Sequence, residues 1–137
     1  MIKVNIVNPT RLIEFVVGSG GVTQGALCVV DSNTAIEGSA NIATQIIIGV
    51  AADGYDEGDI GIFYPLTGVE MEIDVDTTGT KTTFAAADVG QDFDISVSSH
   101  DFSIDPDDTT GPLILSSYDN TRNTAMARVN PLYLYAG

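Results

Sequence analysis

The chain has one cysteine, one histidine, no tryptophan and only five Lys+Arg among 137 residues. The single Cys28 excludes an internal disulfide framework and a cysteine-rich zinc site. Within ALCVV it reads as a small buried hydrophobe. The shortage of cations, set against nineteen Asp+Glu, leaves a formal net charge of −14. Such a surface repels phosphate backbones, so no nucleic-acid partner is expected, and partners presenting positive patches are favoured. No stretch approaches the roughly 18 apolar residues of a membrane span, so no membrane partner is expected either. Asn5, Asn8 and Glu14 interrupt any apolar run that a secretory signal would need. The expectation is a soluble domain made and folded in a reducing cytoplasm.

What is present is a core. Hydrophobic residues make up 44% of the chain and fall in strand-length blocks, which separates this sequence from an acidic disordered one. The organising stretch is Ile42–Val75, IATQIIIGVAADGYDEGDIGIFYPLTGVEMEIDV. Gln45–Ala51 is apolar on both faces and belongs inside a sheet or barrel, with Ile47 and Ile48 both buried. Asp53–Asp59 is loop chemistry. Ile60–Pro65 returns apolar, with Ile60, Ile62 and Tyr64 on one face. After the turn Leu66-Thr67-Gly68, Val69, Met71, Ile73 and Val75 alternate with Glu70, Glu72 and Asp74, the pattern of a half-buried strand.

Upstream, Ile2–Ile6 and Leu12–Val17 are candidate strands separated by Asn8-Pro9-Thr10. Gly18-Ser19-Gly20-Gly21 is a joint that would let the first segment act as an arm. The division expected is an arm and joint over residues 1–21, then one β domain over residues 22–137. Ala26–Val30 is a short strand closed by the turn Asp31-Ser32-Asn33, and residues 35–44 read as a long connection. Downstream, Ala85–Val89 suggests one helical turn stopped by Gly90. Phe93, Ile95 and Val97 alternate with Asp92, Asp94 and Ser96 as a second one-sided strand. Phe102–Ile104, Leu113–Ser117, Ala125–Val129 and Leu132–Tyr135 complete an all-β chain of about ten short strands, a small β-barrel or β-sandwich with an N-terminal arm.

Reactive constellations are few. His100 shares one turn with Ser98, Ser99 and Asp101, so these side chains diverge, whereas a hydrolytic triad converges from separate elements. Glu70 and Glu72 share a strand face, roughly 6–7 Å apart, within the range of an inverting glycosidase pair. A wet strand face carries acids in the same way. Gly18–Gly21 lacks the lysine and long helix of a nucleotide loop. Asp53, Asp56, Glu57 and Asp59 offer oxygen ligands for Ca²⁺ but without the EF-hand pattern, and Asp105–Asp108 is a weaker version. No catalytic residue, metal site or cofactor is assigned, and an enzyme is not expected.

The pattern GALCVVD…IIIGVAADGYDEGDIGIFYPLTGVEMEIDV resembles the central segment of small tailed-phage head decoration proteins, at Gly25, Gly49-Val50-Ala51, Gly58-Asp59 and Gly68. The later FAAADVGQDFDISVSSHDFSIDPDDTTGPLILSSYD is similar to a recurrent second half in that family, at Asp88-Val89-Gly90, Asp105 and Tyr118-Asp119. The resemblance covers Gly25 to Val129; the first residues and NPLYLYAG lie outside it. It implies a capsid cement protein on the outer surface of the virion. Its partner would be the major capsid protein, and it would bind as a homotrimer at junctions between those subunits. On that reading Ile2, Lys3, Val4, Ile6 and Arg11 form a capsid-binding arm, and Leu132, Tyr133 and Tyr135 form the oligomer interface. Strand addition supplies affinity without a preformed cavity, and several arms acting together supply avidity. Two other classes stand beside it: a glycan- or receptor-binding β module of a viral fibre or adhesin, Ca²⁺-dependent through its acidic loops, and a hydrolase using Glu70 and Glu72.

Overall fold

Period-two patterning and glycine- or aspartate-rich turns give eleven strands among the described residues. In chain order they are β1 (Ile2–Val4), β2 (Ile13–Val16), β3 (Leu27–Asp31), β4 (Thr34–Glu37), β5 (Ile47–Ala51) and β6 (Ile60–Tyr64). They continue as β7 (Glu70–Val75), β8 (Asp92–Ser98), β9 (Asp101–Asp105), β10 (Leu113–Asp119) and β11 (Thr124–Val129). The computed structural model describes the backbone of residues 2–4 and the whole of residues 12–38, 45–98 and 101–135. Among the described residues the only helical pieces are two 3-10 turns. The all-β expectation holds.

The strands form two sheets. The first runs β1-β7-β11-β10-β8-β9, and β9 returns to pair in parallel with β7 through Asp74↔Ser103 and Val75↔Ile104. That return closes five of its strands into a small barrel and removes most of the open edge. The second runs β2-β6-β5-β3-β4. Its two end strands are drawn together where Val17 bridges Ala35 and the Gly18 amide donates to the Ala35 carbonyl at 2.8 Å.

One apolar cluster spans both sheets. In β7, Met71, Ile73 and Val75 are buried while Glu70 and Asp74 are exposed, as their alternation requires. Ile47 and Ile48, adjacent and so on opposite faces of β5, are both buried. In β6 the inward face is that of Gly61 and Phe63, and Ile60 is left outside. Gly49 allows β5 to approach its neighbour. Its φ is +151°, and the Tyr64 carbonyl lies where a Cβ would stand.

Three expectations need correction. The 35–44 connection begins with a strand, since β3 and β4 form a hairpin across Ser32-Asn33. Both turn residues have positive φ, 48° and 64°, the conformation of the turn whose twist matches a two-residue hairpin. Leu132–Tyr135 is not a closing strand. Pro131 opens a 3-10 turn over Pro131–Tyr133, and the Asn130 side chain accepts from the Leu132 amide, so only Leu134 makes a bridge, to Ile47. Asp94 does not face water. It is 5% exposed, because the loop between β9 and β10 folds over it. The expected turn at Ala85–Val89 is present as a 3-10 turn over Ala86–Asp88, followed by Gly90 at φ +86°.

Candidate functional site

The first candidate surface is the N-terminal strand. β1 lies antiparallel on β7 of its own chain, in the register Ile2↔Ile73, Lys3↔Glu72 and Val4↔Met71. It shares that edge of β7 with β9, which pairs one step further along at Asp74 and Val75. Of the assigned arm residues, Ile2, Lys3 and Val4 are therefore placed by backbone; their side chains, together with Ile6 and Arg11, lie outside the described residues. The residues that follow are part of the body. β2 pairs along its length with β6, from Ile13↔Phe63 to Val16↔Ile60. The glycine joint is tied at both ends, Val17 donating to the Asp59 carbonyl at 2.8 Å and Val22 to the Tyr55 carbonyl at 2.9 Å.

The second candidate surface is the C-terminal 3-10 turn. Leu132 at its crest is 82% exposed, Tyr133 is half-buried and Tyr135 is 36% exposed. The Tyr135 ring meets Phe15 edge to face at 5.2 Å, and its amide donates to the Ile47 carbonyl at 2.9 Å. The turn is thus fixed to the second sheet, while Leu132 presents its side chain to solvent.

The acids proposed for catalysis sit on the outer face of β7. Glu70 is exposed, whereas Glu72 is half-buried and approaches Arg122 at 3.8 Å. Around that pair lies an open depression of about 200 Å³, lined by Glu72, Ser117, Tyr118, Arg122, Thr124 and Met126 among others. It has polar groups and one aromatic ring. Glu72 lines it, and Glu70 is not among the lining residues. The Ca²⁺ candidates do not converge on one another as ligands, and among the described residues no group of three or more His, Cys, Asp or Glu is arranged to hold a metal ion. His100 lies outside the described residues. Cys28 is fully buried on β3, where burial, and secondarily the Glu37 charge, push its thiol up to about 12. It is a structural side chain.

The acidic cluster that the sequence reading missed is built around Asp94. It stands directly opposite Asp105 in the β8–β9 ladder, and its amide donates to the Asp108 carbonyl at 3.0 Å. Gly111 packs against the Asp94 backbone so closely that a Cβ would overlap it. Burial raises the Asp94 carboxyl to about 6, with Asp108 and Asp105 adding repulsion against a lowering bond from the Ile95 amide. Burial likewise raises Asp105, with the Asp76, Asp107 and Asp108 charges adding to it. The neighbouring Lys81 does not relieve this cluster. Its ammonium grips Asp88 at 2.9 and 3.0 Å and lies over the Phe84 and Phe93 rings, while its amide donates to Asp107 at 2.9 Å. The signal for the fold-over was Asp105-Pro106-Asp107-Asp108, a turn in which Asp105 accepts from the Asp107 amide at 2.9 Å.

Among the described residues no helix is long and apolar enough to cross a membrane. The chain matches no protein-family model, and a search of curated proteins finds no similar sequence.

Proposed function

We propose that this protein is a tailed-phage head decoration protein, which binds the outside of the icosahedral shell at junctions between major capsid proteins and stabilises it. The observation that carries the reading is β1, a three-residue strand held on the edge of β7 and joined to the body through residues 5–11. So short a ladder is easily exchanged. The pairing made here within one chain is the same pairing that a neighbouring protomer's β7, or an open strand of the shell, would offer. Exposed Leu132 and Tyr135 supply an apolar surface for the homotrimer, and tyrosine suits such a place because it joins a large apolar ring to a polar tip. The net charge of −14 keeps free protein soluble until it meets a positive surface. The place of action would be the outer surface of the virion.

The test is deletion of Met1–Asn8. The truncated chain should remain a folded β protein and lose its place on shells that lack the decoration protein. Unchanged occupancy would show that the arm is not the anchor. Leu132→Ser should separately shift the mass in solution, or the arrangement on the shell, from trimer toward monomer.

A second reading is favoured by the depression around Glu72, Tyr118 and Arg122, whose mixture of polar groups and one ring suits a sugar. A glycan-binding module would lose affinity on Tyr118→Ala, and a Ca²⁺-dependent one would lose it on addition of EDTA. Turnover of an oligosaccharide that stops with Glu72→Gln would point instead to a hydrolase.

A further inference from the structure

The outer face of β2 and β6 carries an apolar surface that neither the arm nor the C-terminal turn accounts for. Val16 and Ile60 are direct cross-strand partners, 45% and 66% exposed respectively. Leu12, on the same side of the chain as Val16, is 47% exposed. Strand register places the Val16 and Ile60 side chains side by side. Their exposure is not a consequence of a loose edge, since β2 is paired from Ile13 to Val16 and Val17 is buried.

Exposed carboxylates lie on either side of this pair along the strands. Glu14 is exposed on the same face of β2, opposite Ile62. At the other end, the loop leading into Ile60 presents Asp53, Asp56, Glu57 and Asp59, all exposed. The loop is fixed to β2, with Gly58 donating to the Val17 carbonyl at 2.9 Å and Val17 to the Asp59 carbonyl at 2.8 Å. It is also braced internally, since the Asp56 amide donates to the Asp59 carboxylate at 2.9 Å. Among the described residues the charge of these five acids has no cationic partner, which suits them to a positively charged surface.

We infer that the β2–β6 face around Val16 and Ile60 is a second docking surface, and that its occupant is an apolar protein surface rimmed by lysine or arginine. The inference rests on the decoration reading above, in which that occupant is the shell. A second copy of this chain is disfavoured as occupant, because a face-to-face contact would bring both sets of carboxylates together around one apolar centre. Attachment would then have two parts: a strand added through the backbone, which sets register, and a body face read by charge and shape. The charge part weakens with salt, whereas the apolar part does not.

Two double variants separate these contributions. V16S/I60S removes the apolar centre. D56N/E57Q removes two rim charges without touching a hydrogen bond of the loop, because only the backbone of Asp56 and the carboxylate of Asp59 are used there. Binding is measured by co-sedimentation with empty shells of the major capsid protein encoded in the same genome, at about 50 mM and about 300 mM salt. V16S/I60S should weaken binding about 10-fold at both salt concentrations. D56N/E57Q should weaken it several-fold at low salt and little at high salt. If wild-type protein binds and both variants bind equally well, the surface is not used and the inference fails while the decoration reading stands. If wild-type protein does not bind shells at all, the decoration reading fails and takes this inference with it. Dimers of the free protein that V16S/I60S abolishes would identify a second copy as the occupant and overturn the assignment.

Discussion

Asp94→Asn should stabilise the protein at neutral pH, and the gain should shrink steadily as the pH falls toward about 4. Asp94 is 5% exposed, faces Asp105 across the ladder, and lies beneath the loop that carries Asp108. Its carboxyl titrates at about 6 in the folded chain against 3.8 for a free aspartate. Between those values the folded state holds a proton that the unfolded state has released. Stability therefore falls as pH rises from about 4 through about 6, and the loss is complete near pH 7. A displacement of about two pH units corresponds to about 3 kcal/mol as an upper value. Burial of Asp105 raises its carboxyl as well and acts in the same direction. Asp76 and Asp88 act oppositely. Hydrogen bonds from Thr78 lower Asp76, and the Ala85 amide, helped by Lys81, lowers Asp88. Their contributions are lost only below the ordinary carboxylate range, outside the window that Asp94 governs.

Asparagine retains the Oδ1 atom that accepts from the Ile95 amide at 2.8 Å, so the substitution removes the charge and keeps the hydrogen bond. Thermal unfolding followed by circular dichroism at pH 4.5 and pH 7.5, at constant ionic strength, reads the effect. Wild-type protein should melt higher at the lower pH. A gain of about 2–3 kcal/mol for Asp94→Asn at pH 7.5 corresponds to about 6–12 °C in a domain of this size. General relief of self-repulsion also favours the acid condition in a chain of charge −14. Asp92→Asn, on the exposed neighbour, measures that background. Equal pH dependence in wild type, Asp92→Asn and Asp94→Asn would show that the Asp94 carboxyl is neither isolated nor repelled as argued.

Ile47→Ala and Ile48→Ala should each cost about 2–5 kcal/mol in denaturant unfolding, since both side chains are fully enclosed. Gly49→Ala should cost about 3 kcal/mol or more, or prevent folding, because the backbone conformation and the Tyr64 carbonyl both oppose a Cβ. Glu70→Ala should change stability by less than about 0.5 kcal/mol from its exposed position, and Glu72→Ala by little more, given the long, solvated contact to Arg122. Cys28 should not react with a thiol reagent in native protein and should react on unfolding, reflecting a thiol raised to about 12.

The faces of β7 could be read directly because one residue in two met the core and the other met water, with no second layer outside. Asp94 has the same alternating neighbours, Phe93 and Ile95, and its environment is reversed by a loop whose register is set about fifteen residues later. No local period carries that information. The β3–β4 hairpin was recognisable as a turn at Asp31-Ser32-Asn33. What was missed is the returning strand β4, which is short and fixed only by its pairing with β3, and whose turn needs positive φ at both central residues. At the C-terminal end, apolar residues at Leu132, Leu134 and Tyr135 looked like a strand. Pro131 cannot donate to a ladder, and Asn130 caps the turn that replaces it.

Attachment surfaces are harder to read from sequence than cores, for a physical reason. Ile60 is as apolar as Phe63, and in sequence both belong to the same strand-forming block; alternation puts them on opposite faces, and only packing against the core decides which face is inward. The Leu132 side chain is likewise distinguishable from core leucines only once the turn beneath it is fixed to Ile47 through Leu134 and Tyr135. Acidic residues were legible as a total but not as positions. The same chain places one aspartate, Asp94, in the interior, where its charge opposes folding at neutral pH, and holds Asp56, Glu57 and Asp59 outward on a braced loop. A charge held rigidly in water is available for a partner, and a charge held in the core is not. That difference makes the Val16–Ile60 face, rather than the acid-rich β8–β9 ladder, the part of the body suited to meeting a cationic surface.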